Sequence, residues 1–233
     1  MRKKWQLWVA IILLVAGLAL LSIEPVKTAL VAGYRPTVTH EQAAKNQRQT
    51  KQANYNMNQV KAVTMNQVIN ARLHAKDVKP VGQILVPTAD VHLPIALGVA
   101  NNTLMLAAGT MRADQQMGKG NYALAGHHML NKQALFSPLY YKARVGTKVY
   151  LTDMNKVYQY QITTRKIISP YDVQVIDNTK QPLITLITCN DSGSKRLLLR
   201  GKLIATMALK QAPAAVVKLL HQKTNNYNVL AGY

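Results

Sequence analysis

Cys189 is the only cysteine among 233 residues, so its thiol has no partner within the chain. It closes an apolar, β-branched run, Leu183-Ile-Thr-Leu-Ile-Thr188, and a turn-forming stretch, Asn190-Asp-Ser-Gly-Ser-Lys195, follows. Arg196 then opens a second apolar run that extends to Ile204. A lone cysteine is more often a buried structural residue. This one stands at a strand's end, beside a polar loop and one short connection from a guanidinium that favours a thiolate. Thiol catalysis also requires a proton shuttle and a group to hold an oxyanion. Of six histidines, His40 and His74 lie in polar or helical stretches, His92 on a strand, and His221 in a C-terminal helix. His127 and His128 end a strand directly after Gly126, well ahead of the cysteine. Such separation is normal for partners that only folding brings together. Arg196 and Arg200 share one face of their strand. They form either a basic solvent face or, in Arg196, a donor to a substrate carbonyl or oxyanion.

These groups need rigid elements to hold them. From Val81 onward the pattern is short strands: 81–86, 91–97, 103–108, 122–125, a hairpin of 147–152 with 156–164, and the two runs flanking Cys189. Pro94 makes the second an edge or irregular strand. Many short strands at regular spacing predict an all-β barrel or sandwich. Residues 63–72 predict a short helix with Thr64 as N-cap and Gln67 as its capping-box partner. Residues 211–222 predict a C-terminal helix with Pro213 in its first turn. The chain shows neither metal-ligand spacing nor a phosphate loop.

The N-terminus sets the compartment. Trp5 to Ile23 contains no charge and follows Arg2, Lys3 and Lys4. At 1.5 Å per residue this run matches the ~30 Å hydrocarbon core, and a proline soon after it argues against a cleaved signal peptide. An uncleaved anchor with residues 1–4 cytoplasmic and the rest outside is expected. Residues 24–62, rich in Gln, Asn, Lys and Ala, are expected as a polar spacer, and 63–233 as the extracellular catalytic domain. The formal charge of +20, from 29 Lys plus Arg against 9 Asp plus Glu, calls for a polyanionic neighbour. Outside the membrane that means lipid head groups or wall polymer and not nucleic acid.

The chemistry-bearing segments together resemble the sortases, class A most closely. Thr185-Leu186-Ile187-Thr188-Cys189 matches the family's TLxTC motif, Ala125-Gly126-His127 its histidine motif, and Arg196 its arginine. The likeness covers about residue 63 to the C-terminus, plus the anchor layout. It implies an eight-stranded β-barrel with short helices behind one transmembrane helix. It also implies a transpeptidase that cleaves LPxTG-type sorting signals between Thr and Gly, through a thioacyl-enzyme resolved by an amine of lipid II or peptidoglycan. By the same resemblance Cys189 is the nucleophile, His127 the proton shuttle, and Arg196 the substrate and oxyanion ligand. Thr188 adds an oxyanion contact, and Ala125, Val173, Val175 and Ile176 bind the Leu-Pro of the signal. The LPxTG-bearing surface proteins and the plasma membrane are the other implied partners. Some members bind calcium, but 111–120 holds a single acid, so neither calcium nor any cofactor is expected. A purely hydrolytic cysteine peptidase and an anchored wall- or lipid-binding module are the competing readings.

Overall fold

The computed structural model of the chain describes residues 2–224 and 226. The end of the expected catalytic segment, 227–233, lies outside the described residues, as does Met1. Eight strands form: β1 (Pro80–Val86), β2 (Val91–Ala96), β3 (Ala108–Thr110), β4 (Asn121–Ala125), β5 (Lys148–Thr152), β6 (Lys156–Ile168), β7 (Leu183–Cys189) and β8 (Arg196–Ala208). They close into a barrel in the order β1-β2-β3-β4-β7-β8-β6-β5, the eight-stranded barrel expected. Alternate residues fill its interior, among them Ile84, Leu124, Leu151, Ile184, Leu186, Leu197 and Leu199. β4 and β7 run parallel. Parallel neighbours need a long crossover, and here it carries a short helix, α5 (Ser137–Lys142), and the whole β5–β6 hairpin. Asp153 fixes that hairpin's turn by accepting from the Asn155 and Lys156 amides at 2.9 and 2.7 Å.

Pro94 is tolerated because β2 pairs with β3 only at Ile95 and Ala96, so the missing N–H falls where no neighbour would receive it. Helix α3 spans Met65–Leu73, and the Thr64 side chain accepts from the Gln67 amide as expected. The C-terminal helix is shorter than expected, Ala214–Leu220, with Pro213 at its N-cap. One expected strand is a helix. Residues Asn101–Leu106 form α4, and only Ala108–Thr110 continue as a strand. Leu104 and Met105 are good helix formers, and a short apolar run carries no period that separates the two structures.

The N-terminal helix α1 runs unbroken from Arg2 to Ala32, with Pro25 inside it. Among the described residues it is the one helix long and apolar enough to cross a membrane. It does not stop at Ile23. Its last turns pack on α3 and α4, where Val31 and the following Tyr34 are buried. A second helix, α2 (His40–Gln47), buries Ala43 and Asn46, and Asn46 Nδ2 donates to the Pro80 carbonyl at 2.7 Å. Residues 24–62, expected as a spacer, therefore lie against the barrel. Few apolar anchors are needed for this, because the barrel supplies the opposing surface.

Phe136 is fully buried. Its amide donates to the His127 carbonyl at 3.1 Å, and its ring packs so tightly on Gly126 that a Cβ there would sit 2.5 Å away. Phe136→Ala should lower unfolding stability by about 3–5 kcal/mol, read from the urea midpoint.

Candidate active site

Strand pairing around β7 brings the three catalytic candidates together. In the parallel β4–β7 ladder Ala125 is level with Ile187. The Gly126 amide extends the match by donating to the Ile187 carbonyl at 3.1 Å. His127 and Cys189 each lie two residues further in the same direction, at the same barrel end. On the other side of β7, Cys189 is directly opposite Arg196 in antiparallel register. Side chains directly opposite share a face, so thiol and guanidinium emerge together. All three line one cleft of ≈ 640 Å³. Arg196 Nη1 donates to the Gly193 and Lys195 carbonyls at 2.9 and 3.1 Å, which folds the guanidinium over the β7–β8 loop.

His127 is buried, and its Nε2 has no hydrogen-bond partner. Burial alone lowers its pKa from 6.5 to about 4, so it is neutral near pH 7. Its neighbour His128 does different work. His128 Nε2 lies 3.1 Å from Asp191 Oδ1 and 3.3 Å from the Tyr141 hydroxyl, and that hydroxyl also donates to Asp191. Tyr140 and Tyr141 pack against its ring. Burial lowers the His128 pKa, opposed by the Asp191 carboxylate and the Cys189 backbone. Asp191 sits in the loop joining Cys189 to Arg196, so this cluster ties that loop to α5.

Beside the thiol the outer face of β4 and β7 is apolar. Ala123, Ala125 and Ile187 pack with Leu104, Val99 and Met111, and a 3-10 turn, Val173–Ile176, closes over them. Three polar side chains hold the turn by its carbonyls. Asn121 Nδ2 donates to Val175 and Asp177 oxygens at 3.1 and 3.0 Å. Arg112 donates to the Ile176 oxygen and Arg200 to that of Val175. Thr185, fully buried, donates to Asn121 Oδ1 at 2.7 Å and so orients the amide. Guanidinium and amide donors thus stand beneath this turn. Among the described residues, no group of three or more His, Cys, Asp or Glu is placed to hold a metal ion.

Of the residues expected to bind substrate, Ala125 lines the cleft, and Val175 and Ile176 pack against the same apolar wall. Val173 is 70% exposed and lies outside that cluster. Thr188 also lines the cleft, but the strand's alternation puts its Cβ on the opposite face from Cys189. Its Oγ1 is buried without a partner, so it meets the cleft from the barrel-interior side. Sequence reading passed over Leu104, Met57, Val60 and Asp191, all in the cleft lining. It also passed over Asn121, whose signal was a lone amide heading an apolar strand.

Comparison with known proteins shows the family of the chain. Residues 84–204 match the Sortase domain family. Sortase A of Listeria monocytogenes is 38% identical over 206 residues, spanning 86% of this chain and 92% of that protein. Sortase A of Streptococcus agalactiae is 34% identical over 239 residues, spanning 97% and 94%. The crystal structure of the Listeria monocytogenes enzyme superposes with a TM-score of 0.54 at 47% identity, covering 57% of this chain and 92% of that one.

Two measurements check the site. Asn121→Ala should free the 173–177 turn, seen as faster amide hydrogen exchange there, and cost about 1–3 kcal/mol of stability. Acid should destabilise the fold through His127 and His92, both lowered by burial from 6.5 to about 4. The unfolded chain takes up these protons below pH 6.5, whereas the folded one does so only near pH 4, so stability falls as pH drops across that window. Moving from pH 7 to pH 5 should lose about 2 kcal/mol per histidine, and His127→Gln should remove its share.

Proposed function

The chain belongs to the sortase family, and from that premise we propose how its cleft works. It is a cysteine transpeptidase that anchors surface proteins, with an N-terminal apolar helix suited to hold it in a membrane. The substrate is an LPxTG-type sorting signal laid along the apolar wall of Ala125, Ile187 and Leu104, with its Thr carbonyl at Cys189. His127 takes the thiol proton, and Sγ attacks that carbonyl. Arg196 turns from its loop carbonyls to hold the oxyanion. The Thr–Gly bond breaks, the Gly amine leaves with the proton from His127, and a thioester joins Thr to Cys189. An amine of lipid II or peptidoglycan then attacks the thioester and gives its proton through His127, and the thiol is released. Burial disfavours the His127 imidazolium, so the resting imidazole is neutral and free to take a proton. By the positive-inside rule Arg2, Lys3 and Lys4 lie in the cytoplasm and the barrel outside.

The observation that carries this reading is the double register of β7, which levels Cys189 with Arg196 on one side and runs it toward His127 on the other. Mass analysis after incubation with an LPxTG peptide and a glycine or alanine amine should show a joined product. Hydrolysed peptide alone would remove the acceptor step, and no cleavage would sink the substrate assignment. Cys189→Ala should fall to background, and Arg196→Ala should lose about 10²–10³ in kcat, as for loss of one oxyanion donor. His127→Ala should lose far more than His128→Ala, and equal losses would undo the choice of shuttle.

A further inference from the structure

The apolar run of α1 ends at Ile23, but the helix continues to Ala32 and packs on α3 and α4. The helix is continuous from the lipid-spanning part into the folded part, although Pro25 at the boundary removes one i→i−4 hydrogen bond. The height of barrel residues beside α1 above the bilayer is therefore set by helix rise. Lys27, four residues past Ile23, stands about 6 Å further along the axis. Glu24 and Lys27 form an ion pair and line the catalytic cleft, so one mouth of that cleft lies at the level where lipid hydrocarbon gives way to head groups.

A second segment reaches the same level. Leu130 follows β4 and the two histidines, and it lines the catalytic cleft together with Glu24. It also lines a neighbouring groove with Glu24, Pro25 and Ala29. The adjacent Asn131 Nδ2 lies 3.5 Å from Thr28 Oγ1, which ties the loop to α1. Leu130 is nonetheless 79% exposed. An exposed leucine alone is unremarkable. One held beside the first residue past a membrane span is at the depth where an apolar side chain gains by leaving water.

We propose that Leu130 seats in the interface of the phospholipid bilayer beside α1. The Glu24–Lys27 and Leu130 lip then sets the catalytic cleft on the membrane surface, and the amine acceptor comes to Cys189 along the lipid plane. This rests on the reading of α1 as a membrane span, and the test separates the two. The full chain carrying Cys189→Ala and Leu130→Cys is spin-labelled at the new thiol and reconstituted in vesicles of phosphatidylglycerol and phosphatidylcholine. Membrane integration is scored independently by resistance to carbonate extraction. Oxygen should then relax the label more than a water-soluble nickel chelate does, as at the headgroup–acyl boundary. A carbonate-resistant chain whose label meets the nickel chelate as freely as a label in water would overturn the proposal and leave the span intact. Extraction by carbonate would overturn both. In a second variant, seven polar helix-forming residues inserted between Ile23 and Glu24 lift the lip by about 10 Å with nearly the same facing. Nickel accessibility should rise at least about twofold as the label leaves the interface. An unchanged value would mean that bilayer height does not govern the contact, and would also overturn the proposal.

Discussion

The structure depends on one strand being paired in two senses. β7 is parallel to β4 and antiparallel to β8. Because residue register across a ladder is discrete, a slip of one residue on either side would turn Cys189 to the wrong face. The antiparallel side levels thiol and guanidinium through a short loop. The parallel side brings in the histidine by a crossover that must return over the barrel, and that return leaves the β5–β6 hairpin and the 173–176 turn where they are. The cleft's shape is thus a by-product of the connection that its chemistry requires.

Holding these groups has a cost in solvation. Burial of His127 keeps the imidazole neutral and leaves its Nε2 without a partner. Such an orphaned nitrogen is unfavourable in a resting protein and useful in a proton shuttle. Under the 173–177 turn, by contrast, side-chain donors meet the backbone carbonyls. Asn121 alone serves two turn carbonyls and receives the Thr185 hydroxyl. The turn over the apolar wall is therefore held by fixed donors under its backbone, while His128, Tyr141 and Asp191 do the same for the loop between Cys189 and Arg196.

Some of this was legible residue by residue. The β5–β6 hairpin, the Thr64 cap and the strand ending in Cys189 follow from local composition, and the structure contains each. The run 103–108 was read as a strand, but its first four residues belong to α4, because six residues are too few for apolar periodicity to discriminate. Residues 24–62 were read as a spacer because their apolar anchors are sparse. Sparseness says little when a preformed barrel offers the matching surface for Val31, Tyr34, Val38 and Ala43. Val173 was grouped with Val175 and Ile176 by resemblance, and the 3-10 turn leaves it exposed while the other two pack on the apolar wall.

The chain's own letters determined the inventory: one thiol, a histidine after Ala-Gly, an arginine opening the next strand, and an uncharged run long enough for a bilayer. Those are matters of residue type and local order, and one-dimensional pattern carries them. Tertiary structure decided which of two adjacent histidines is buried with a free nitrogen and which is bound to an aspartate. It also decided that Thr188 approaches from the barrel's interior, and that the N-terminal apolar helix continues past its apolar run into the wall of the cleft. These are questions of register, burial and long-range approach. Each turns on the position of residues far apart in sequence, for which no local pattern is a proxy.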